Sequence, residues 1–273
     1  MKSRRENLMT ALQAEIAALE KKEKKLSAAA LKTKQPQWKA EIEKRIPSKV
    51  YEGIESAFSK GFGLVFEQGR SLIEKSYDKE NLVADHSIRD FALNVKGGRR
   101  QLRQMKNSAA RTDFINLAVT TLEGVGLGAL GIGLPDIVLF ISTILKGVYE
   151  TALNFGFDYM TGYERLLILK MLEASLSTGE AWEKASIEID SLFREGEREV
   201  TKEEIDQQIR STASVFAMDM LVLKFIQGVP VVGLFAGAAN PVYYKKILGY
   251  VQLKYRKHYM IKKLYECKGL MRI

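Results

Sequence analysis

An all-α fold is predicted by three features of this 273-residue chain. Apolar residues recur at helical spacing almost throughout, strand-like alternation is scarce, and three helix starts are marked. At each start a Ser or Thr precedes a Glu by three residues, which lets the two side chains satisfy exposed N-terminal amides reciprocally. The pairs are Thr161 with Glu164, Ser177 with Glu180, and Thr201 with Glu204. They predict helices near 162–176, 179–195 and 202–227 in a multi-helix bundle.

The N-terminal region predicts a separate amphipathic helical arm, assigned to residues 1–35. Residues 5–32 are rich in Ala, Leu, Glu and Lys, and their larger apolar residues lie near helical spacing. We expect this helix to project from the main helical domain, residues 36–273. A second helical region begins near Trp38, is interrupted at Pro47, and continues to about Leu64.

An unusually apolar stretch predicts a helical hairpin. The 44 residues from Phe114 to Phe157 carry only four charges, and five glycines precede Pro135. A break around Gly133 and Pro135 leads into a second helix that ends near Asn154. This hairpin can be buried in the core, inserted at a membrane interface, or span the bilayer, and the sequence leaves all three open.

A second apolar hairpin is predicted near residue 230. An apolar helix, 216–226, runs into Gly228 and Pro230, which form a break similar to that at Gly133 and Pro135. Small residues four apart, as at Gly233 and Gly237, allow helices to approach closely.

No bound cofactor or metal is expected. The glycines at 126, 128 and 131 fit a dinucleotide fingerprint, and Glu150 follows near where a ribose-binding acid stands. The fingerprint requires a strand before its helix and a second strand after it, and no such pattern is present. One cysteine, Cys267, and two histidines, His86 and His258, are poor material for a zinc site.

Charge is distributed unevenly and indicates an anionic membrane surface as partner. Residues 94–112 carry six basic groups and no acid, and residues 242–273 carry nine basic groups and one acid. By contrast, residues 150–210 carry 14 acids and 7 bases. Solvated helix faces explain any one cluster, but basic clusters next to apolar segments suit a lipid surface.

The predicted lipid contacts are therefore apolar hairpin tips together with basic residues nearby. They are Leu127, Leu130, Leu134, Val231, Phe235, Arg99, Arg100, Arg103, Lys245, Lys246, Arg256 and Lys257. The C-terminal region also interleaves tyrosines with lysines, a pattern that suits single-stranded nucleic acid as well. We favour the membrane and expect no nucleic-acid partner, because nucleic-acid binding gives no reason for the adjacent apolar hairpin.

Several short motifs in order resemble the EcsC family of bacterial proteins. The similarity covers roughly Trp38 to Lys262 and leaves the arm outside. Its motifs are Leu134-Pro135-Asp136, Phe155-Gly156-Phe157-Asp158, Tyr163-Glu164-Arg165, Val229-Pro230-Val231-Val232-Gly233, Gly237, Asn240 and Tyr255-Arg256. The resemblance implies a helical intracellular protein whose family has no established activity. Because the founding member is encoded beside an ABC transporter, it also implies a membrane transporter as a partner.

An enzyme is the alternative, and carboxylates are its best candidates. Asp136, Glu150 and Asp158 bracket the apolar helix, and Asp219 lies in a later one; a carboxyl in apolar surroundings has a raised pKa and can serve as acid or base. Helix capping is the simpler role for Asp136 and Asp158. Such an enzyme, directed at a lipid or a small molecule, predicts a deep pocket walled by 134–158 and 216–240.

The function that these patterns predict is membrane association without catalysis. We expect a peripheral or partly embedded protein in the cytoplasm, at the inner face of the cell membrane, that binds lipid or a partner.

Overall fold

The computed structural model describes residues 4–32, 41, 43–109, 134–227 and 241–269. Within these ranges it contains ten helices and no strand, which confirms the all-α class. A π-helical segment, Val65–Gly69, joins the second helix to the third. The helices are α1 Arg4–Lys32, α2 Ser48–Leu64, α3 Arg70–Glu74, α4 Lys79–Lys96, α5 Arg99–Ala109, α6 Leu134–Asn154, α7 Gly162–Leu176, α8 Gly179–Glu195, α9 Lys202–Gln227 and α10 Pro241–Lys268.

The marked helix starts are correct in position and differ in chemistry. Before α9 the box is complete: Thr201 Oγ1 accepts from the Glu204 N–H at 3.2 Å, and Glu204 Oε2 accepts from the Thr201 N–H at 3.0 Å. Before α7 only the first half forms, because Thr161 Oγ1 accepts from the Glu164 N–H at 3.0 Å. Before α8 the box predicted at Ser177 is wrong, since the N-cap is Thr178 and its side chain makes no capping bond.

The apolar helix of the first hairpin is the centre of the core. Helix α6 begins at Leu134 and ends at Asn154, as the sequence predicts. Its segment Ile137–Asn154 is the one described helix that is long and apolar enough to cross a membrane, and 89% of it is buried inside the protein. This burial matches the core interpretation for that limb, whereas the other limb, 114–133, lies outside the described residues.

Close packing around α6 depends on aromatic rings and on a glycine in α2. The rings of Phe58, Phe140 and Phe216 bring α2, α6 and α9 together, with centroids 5.6 to 6.2 Å apart. A Cβ atom on Gly61 would lie 2.9 Å from Ile141 Cδ1 and 3.0 Å from Ile137 Cγ2, so a larger residue there would require these side chains of α6 to shift. Helix α10 packs on the neighbouring side of α6 and carries several of the charged side chains discussed below.

Helix α1 does not project from the domain, contrary to the expectation for the arm. It packs along α10 and α8, and Leu8, Leu12 and Leu19 are buried in the common core. Near its start, the Arg5 guanidinium donates to the Cys267 carbonyl at 2.6 Å. The periodicity correctly indicates an amphipathic helix, but it does not show that the apolar face has a partner 200 residues away in the chain.

Candidate functional site

The basic stretch after Gly97-Gly98 forms a surface helix, α5. Arg99, Arg100 and Arg103 are exposed, whereas Leu102 and Met105 are fully buried. The helix is thus held to the body by its apolar side and presents arginines to solvent. These three predicted headgroup contacts are accessible to a partner.

An exposed apolar stripe on α4 directly precedes these arginines. Ile88, Phe91 and Val95 expose 66%, 69% and 40% of their surface. They follow the exposed Ala84 at spacings of four, three and four residues, so the side chains share one face of the helix. The spacing of these residues is visible in the sequence, but it does not predict an exposed surface, because most apolar stripes at that spacing face a core.

The basic residues of α10 divide into an exposed pair and a buried group. Lys245 and Lys246 are exposed, as a headgroup contact requires. Arg256 instead pairs with Glu15 of α1, and Lys257 is only 2% exposed at its side chain. Internal ion pairs therefore occupy Arg256 and Lys257, and neither faces a lipid surface in this arrangement.

Lys257 belongs to a buried cluster of four charges that joins three helices. Lys254 Nζ lies 2.8 Å from Asp190 Oδ1 of α8 and 2.8 Å from Glu23 Oε1 of α1. Lys257 Nζ lies 2.6 Å from Asp190 Oδ2 and also contacts Glu23 Oε2. Lys254 donates in addition to the Ser186 carbonyl at 3.1 Å. Two ammonium groups and two carboxylates balance, so the cluster has no surplus charge to offer a ligand.

A pocket of about 850 Å³ lies where the α6–α7 loop, the start of α7, the end of α8 and the last third of α10 meet. It is lined by Gly156, Phe157, Asp158, Thr161, Tyr163, Glu164, Phe193, Arg194, Glu195, Gly196, Glu197, His258, Lys262 and Tyr265. Two motifs that carry the EcsC resemblance, 155–158 and 163–165, thus meet at one site. The enzyme hypothesis placed a pocket elsewhere, and of its two walls only residues 156–158 line this one.

The backbone around the pocket is fixed by a glycine turn and a tyrosine. Gly156 has a φ of 76° after the end of α6, and a Cβ atom there would overlap the His86 imidazole. The Tyr163 hydroxyl donates to the Leu192 carbonyl at 2.7 Å and ties α7 to the end of α8. The turn at Gly156 and the hydrogen bond of Tyr163 fix the backbone segments whose polar side chains line the pocket.

Glu164 is the most unusual group of the pocket. It is 3% exposed, and its Oε1 atom has no hydrogen-bond partner among the described residues. Burial is the main cause that raises the pKa of the Glu164 carboxyl to about 7. The carboxylates of Glu197 and Asp158 raise this pKa further, whereas the Tyr255 hydroxyl and the Lys262 ammonium lower it. At neutral pH this carboxyl is therefore close to half-protonated.

His258 also lines this pocket, and its ring lies between two phenylalanine rings. Its imidazole stacks on Phe157 and on Phe193, with 4.2 Å between ring centroids on each side. Burial, followed by the nearby Lys262 ammonium, lowers the pKa of His258 to about 3. The ring is therefore neutral at physiological pH, and its Nδ1 atom has no hydrogen-bond partner in the described structure.

The other histidine, His86, has a structural position. Its Nδ1 atom lies 3.1 Å from the Asn154 carbonyl oxygen, and its ring meets Tyr259 edge to face. Next to it, Asp90 accepts from the Tyr259 hydroxyl at 2.6 Å and pairs with Lys263 at 2.7 Å. This network fastens α4 to α6 and α10.

Three of the carboxylates proposed for catalysis, Glu150, Asp158 and Asp219, have described side chains and lie in different surroundings. Asp158 is exposed, and its Oδ1 accepts from the Met160 N–H at 3.0 Å, so it stabilises a turn and does not cap a helix as expected; the N-cap of α7 is Thr161. Glu150 is buried near Lys146, whose Nζ lies 3.8 Å away. Asp219 is half-buried in α9, and the side chain of Asp136 lies outside the described residues. Of the three whose side chains the structure describes, only Asp158 lines the pocket.

Most of the residues predicted at the hairpin tips and helix breaks belong to segments outside the described ranges. Leu127, Leu130, Gly133, Gly228, Pro230, Val231 and Phe235 lie outside the described residues. Leu134 and Pro135 form the first turn of α6, where Pro is well tolerated because its missing N–H would have no helical partner. Among the described residues, no group of three His, Cys, Asp or Glu side chains is placed to hold a metal ion.

Comparison with known proteins identifies the family. No curated protein and no solved structure matches the chain. The model of the EcsC protein family matches residues 11–260, which includes most of α1 and so extends further toward the N-terminus than the similarity seen in the motifs. The chain belongs to the EcsC protein family.

Proposed function

We propose that this protein associates peripherally with an anionic membrane surface through α4 and α5, in a role without catalysis. The observation that carries the proposal is that two exposed sets of side chains follow each other in the chain on two helices in contact: the apolar Ile88, Phe91 and Val95 on α4, and the basic Arg99, Arg100 and Arg103 on α5. We call these six residues the α4–α5 surface.

The chemistry of this surface suits a lipid interface. Large exposed apolar side chains lose contact with water when they enter the boundary between headgroups and acyl chains, at about 1.5–3 kcal/mol for a fully buried Val, Ile or Phe. Each arginine near an anionic surface adds about 1 kcal/mol. Because Ile88, Phe91 and Val95 expose 66%, 69% and 40% of their surface, each gains part of that free energy, and with the three arginines they favour a reversible attachment.

A protein partner is the competing occupant of the apolar stripe. A stripe with spacings of three and four residues also suits a helix of another protein. The three arginines favour lipid, because a second copy of this chain would bring its own arginines to the same basic edge. A membrane transporter, which the family's founding member suggests, would be met at that same lipid surface.

Vesicle flotation tests the proposal directly. The full chain is mixed with vesicles of phosphatidylcholine alone or with 30% phosphatidylglycerol, about the anionic content that gives a strong surface potential. We expect flotation with the anionic vesicles, weakened by salt because exposed charges are screened. The arginine variant Arg99→Ala/Arg100→Ala/Arg103→Ala is expected to lose it, and so is the apolar variant Ile88→Ser/Phe91→Ser.

The matched control changes the same amount of charge elsewhere. Lys21, Lys22 and Lys25 are exposed on α1, and their triple alanine variant is expected to float as the wild type does. Equal loss in this control would show a response to net charge alone, which contradicts a specific surface. Absence of flotation for the wild type, or a dimer that the apolar variant abolishes, would also refute the lipid assignment.

A further inference from the structure

Two residues that line the pocket beside α7, Glu164 and His258, each bury a polar atom without a well-aligned hydrogen bond in the described structure, and the Tyr255 hydroxyl of α10 faces the Glu164 carboxyl. Glu164 Oε1 and His258 Nδ1 have no well-aligned hydrogen-bond partner, although their residues are only 3% and 8% exposed. A buried polar group without a partner costs about 1–3 kcal/mol, so such atoms usually indicate a missing ligand or water. Both belong to the lining of the same pocket.

The charges around the pocket favour a cation. Asp158, Glu195 and Glu197 are exposed at its rim, and Glu164 lies in its interior. The basic side chains of the lining are Arg194, which is exposed, and Lys262. The Lys262 ammonium lies 5.4 Å from the centre of the Phe157 ring and makes no ion pair among the described residues, so it leaves Glu164 Oε1 unpaired.

We infer that this pocket binds an organic ligand through a primary ammonium group, which pairs with the Glu164 carboxylate. An ammonium has three N–H donors and no acceptor, which matches two acceptors lining one pocket: the carboxylate, and the neutral His258 ring when its proton is on Nε2. A bare metal ion fits less well, because no group of three potential ligand side chains is close enough to hold one in the described residues.

The protonation state of Glu164 gives this binding a pH signature. An ammonium pairs with the ionised carboxylate, whereas burial raises the pKa of Glu164 to about 7. The charged groups that face it are Asp158 before α7, Glu197 after α8, and Lys262 of α10; the uncharged Tyr255 and His258 also come from α10. Binding near pH 7 therefore releases part of a proton and becomes tighter as pH rises from 6 to 8.

Free amines and a lipid headgroup can both supply a primary ammonium. Putrescine represents the first source and glycerophosphoethanolamine the second. Neither requires the α4–α5 surface, so this inference stands apart from the proposed membrane role. The pocket and that surface are tested on different residues with different probes.

Isothermal titration calorimetry of the full chain tests the inference. Putrescine and glycerophosphoethanolamine are titrated at pH 6, 7 and 8, beside butanol, succinate, magnesium and glycerophosphocholine. We expect at least one primary amine to bind, about tenfold more tightly at pH 8 than at pH 6, since the ionised fraction of a group with pKa near 7 rises by that factor. Two buffers that differ in ionisation enthalpy are expected to report proton release.

Three variants connect binding to the carboxylate. Glu164→Gln keeps the shape and removes the charge, and it is expected to weaken the amine at least tenfold. Glu164→Asp keeps the charge and is expected to retain measurable binding. Glu199→Gln changes an exposed carboxylate that does not line the pocket and is expected to leave binding within twofold of the wild type.

The outcomes that overturn the inference are equally specific. Tighter binding of succinate or magnesium than of any primary amine would assign the pocket to another ligand class. So would amine binding that survives Glu164→Gln at pH 8 in a variant with an unchanged circular dichroism spectrum. Whichever primary amine binds with the expected dependence on Glu164 identifies the source of the ammonium.

Discussion

Replacing Asp190 by Asn should destabilise the protein strongly, because Asp190 neutralises two buried lysines. Lys254 Nζ and Lys257 Nζ lie 2.8 and 2.6 Å from its two carboxylate oxygens, and the lysine side chains are 0% and 2% exposed. The substitution leaves two ammonium groups facing Glu23 alone. It removes a charge without changing the size of the side chain.

The magnitude follows from opposing contributions. At an effective dielectric constant of about 20, an ion pair near 2.8 Å is worth about 6 kcal/mol, and two such pairs are lost. The Asn side chain avoids the desolvation of a carboxylate, which costs several kcal/mol, and keeps one oxygen as an acceptor. Removing one partner of a buried ion pair typically leaves a net loss of about 3–5 kcal/mol, which is our expected decrease in unfolding free energy for Asp190→Asn.

Urea denaturation followed by far-ultraviolet circular dichroism and by tryptophan fluorescence measures this loss. Glu188→Gln is the matched control. Glu188 lies on α8, as Asp190 does, and its Oε1 atom is 2.7 Å from Lys170 Nζ of α7, but the Glu188 side chain is 53% exposed. Exposed pairs contribute about 0–1 kcal/mol, so the control should change little. The double variant Asp190→Asn/Lys257→Met restores charge balance and should recover part of the loss.

A small effect would refute the reasoning. If Asp190→Asn lowers the unfolding free energy by less than about 1 kcal/mol, as for an exposed pair, then the lysines are hydrated or uncharged. Equal losses for the single and the double variant would show that charge balance is not what holds α1, α8 and α10 together.

Two further predictions concern the pocket. Gly156→Ala should lower the unfolding free energy by about 1–3 kcal/mol or more, because its φ is 76° and the new Cβ atom overlaps His86. Gly53→Ala, which places its Cβ atom in open space on α2, should instead raise the unfolding free energy by about 0.5–1 kcal/mol. Thermal or urea unfolding measures both changes, and equal effects would contradict the strain at Gly156. The pH dependence of stability should change in opposite directions for His258→Phe and Glu164→Gln. The pKa of His258 falls from 6.5 to about 3 on folding, so the wild type loses stability as pH falls below 6.5, and His258→Phe should gain relative to it by about 1.4 kcal/mol per pH unit. The pKa of Glu164 rises from 4.5 to about 7, so the wild type loses stability as pH rises from 4.5 to 7, and Glu164→Gln should gain over that range. Urea titrations at half-unit pH steps measure both trends, and parallel curves for variant and wild type would contradict the burial of the group concerned.

Local signals in the sequence predict the helices well. The bounds expected for α7, α8 and α9 match the structure, because capping residues and apolar periodicity act within a few residues of each other. The bounds of α6 follow in the same way from Pro135 and from the end of the apolar run at Asn154.

Contacts between distant parts of the chain could not be predicted. The partner of Lys254 in α1, Glu23, is separated from it by more than 200 residues, and no periodicity indicates which acid a buried lysine meets. The same limit led us to expect a free arm where α1 is part of the core. For the same reason Lys257 was predicted to contact lipid, because the sequence of a basic helix does not show which of its basic residues is buried.

The motifs Thr161-x-x-Glu164 and Thr201-x-x-Glu204 show why the pocket escaped prediction. Both are capping boxes by sequence, yet the first carboxylate has a pKa of about 7 and the second, paired with Arg198 and bonded to the Thr201 N–H, about 2. Before α7 the Thr161 N–H already donates to the Asp158 carbonyl at 3.3 Å, so Glu164 is not needed as a cap. Its side chain is instead buried against α10, where the Tyr255 hydroxyl faces it. The function of a carboxylate in this fold therefore depends on which helix covers it, and a local motif does not contain that information.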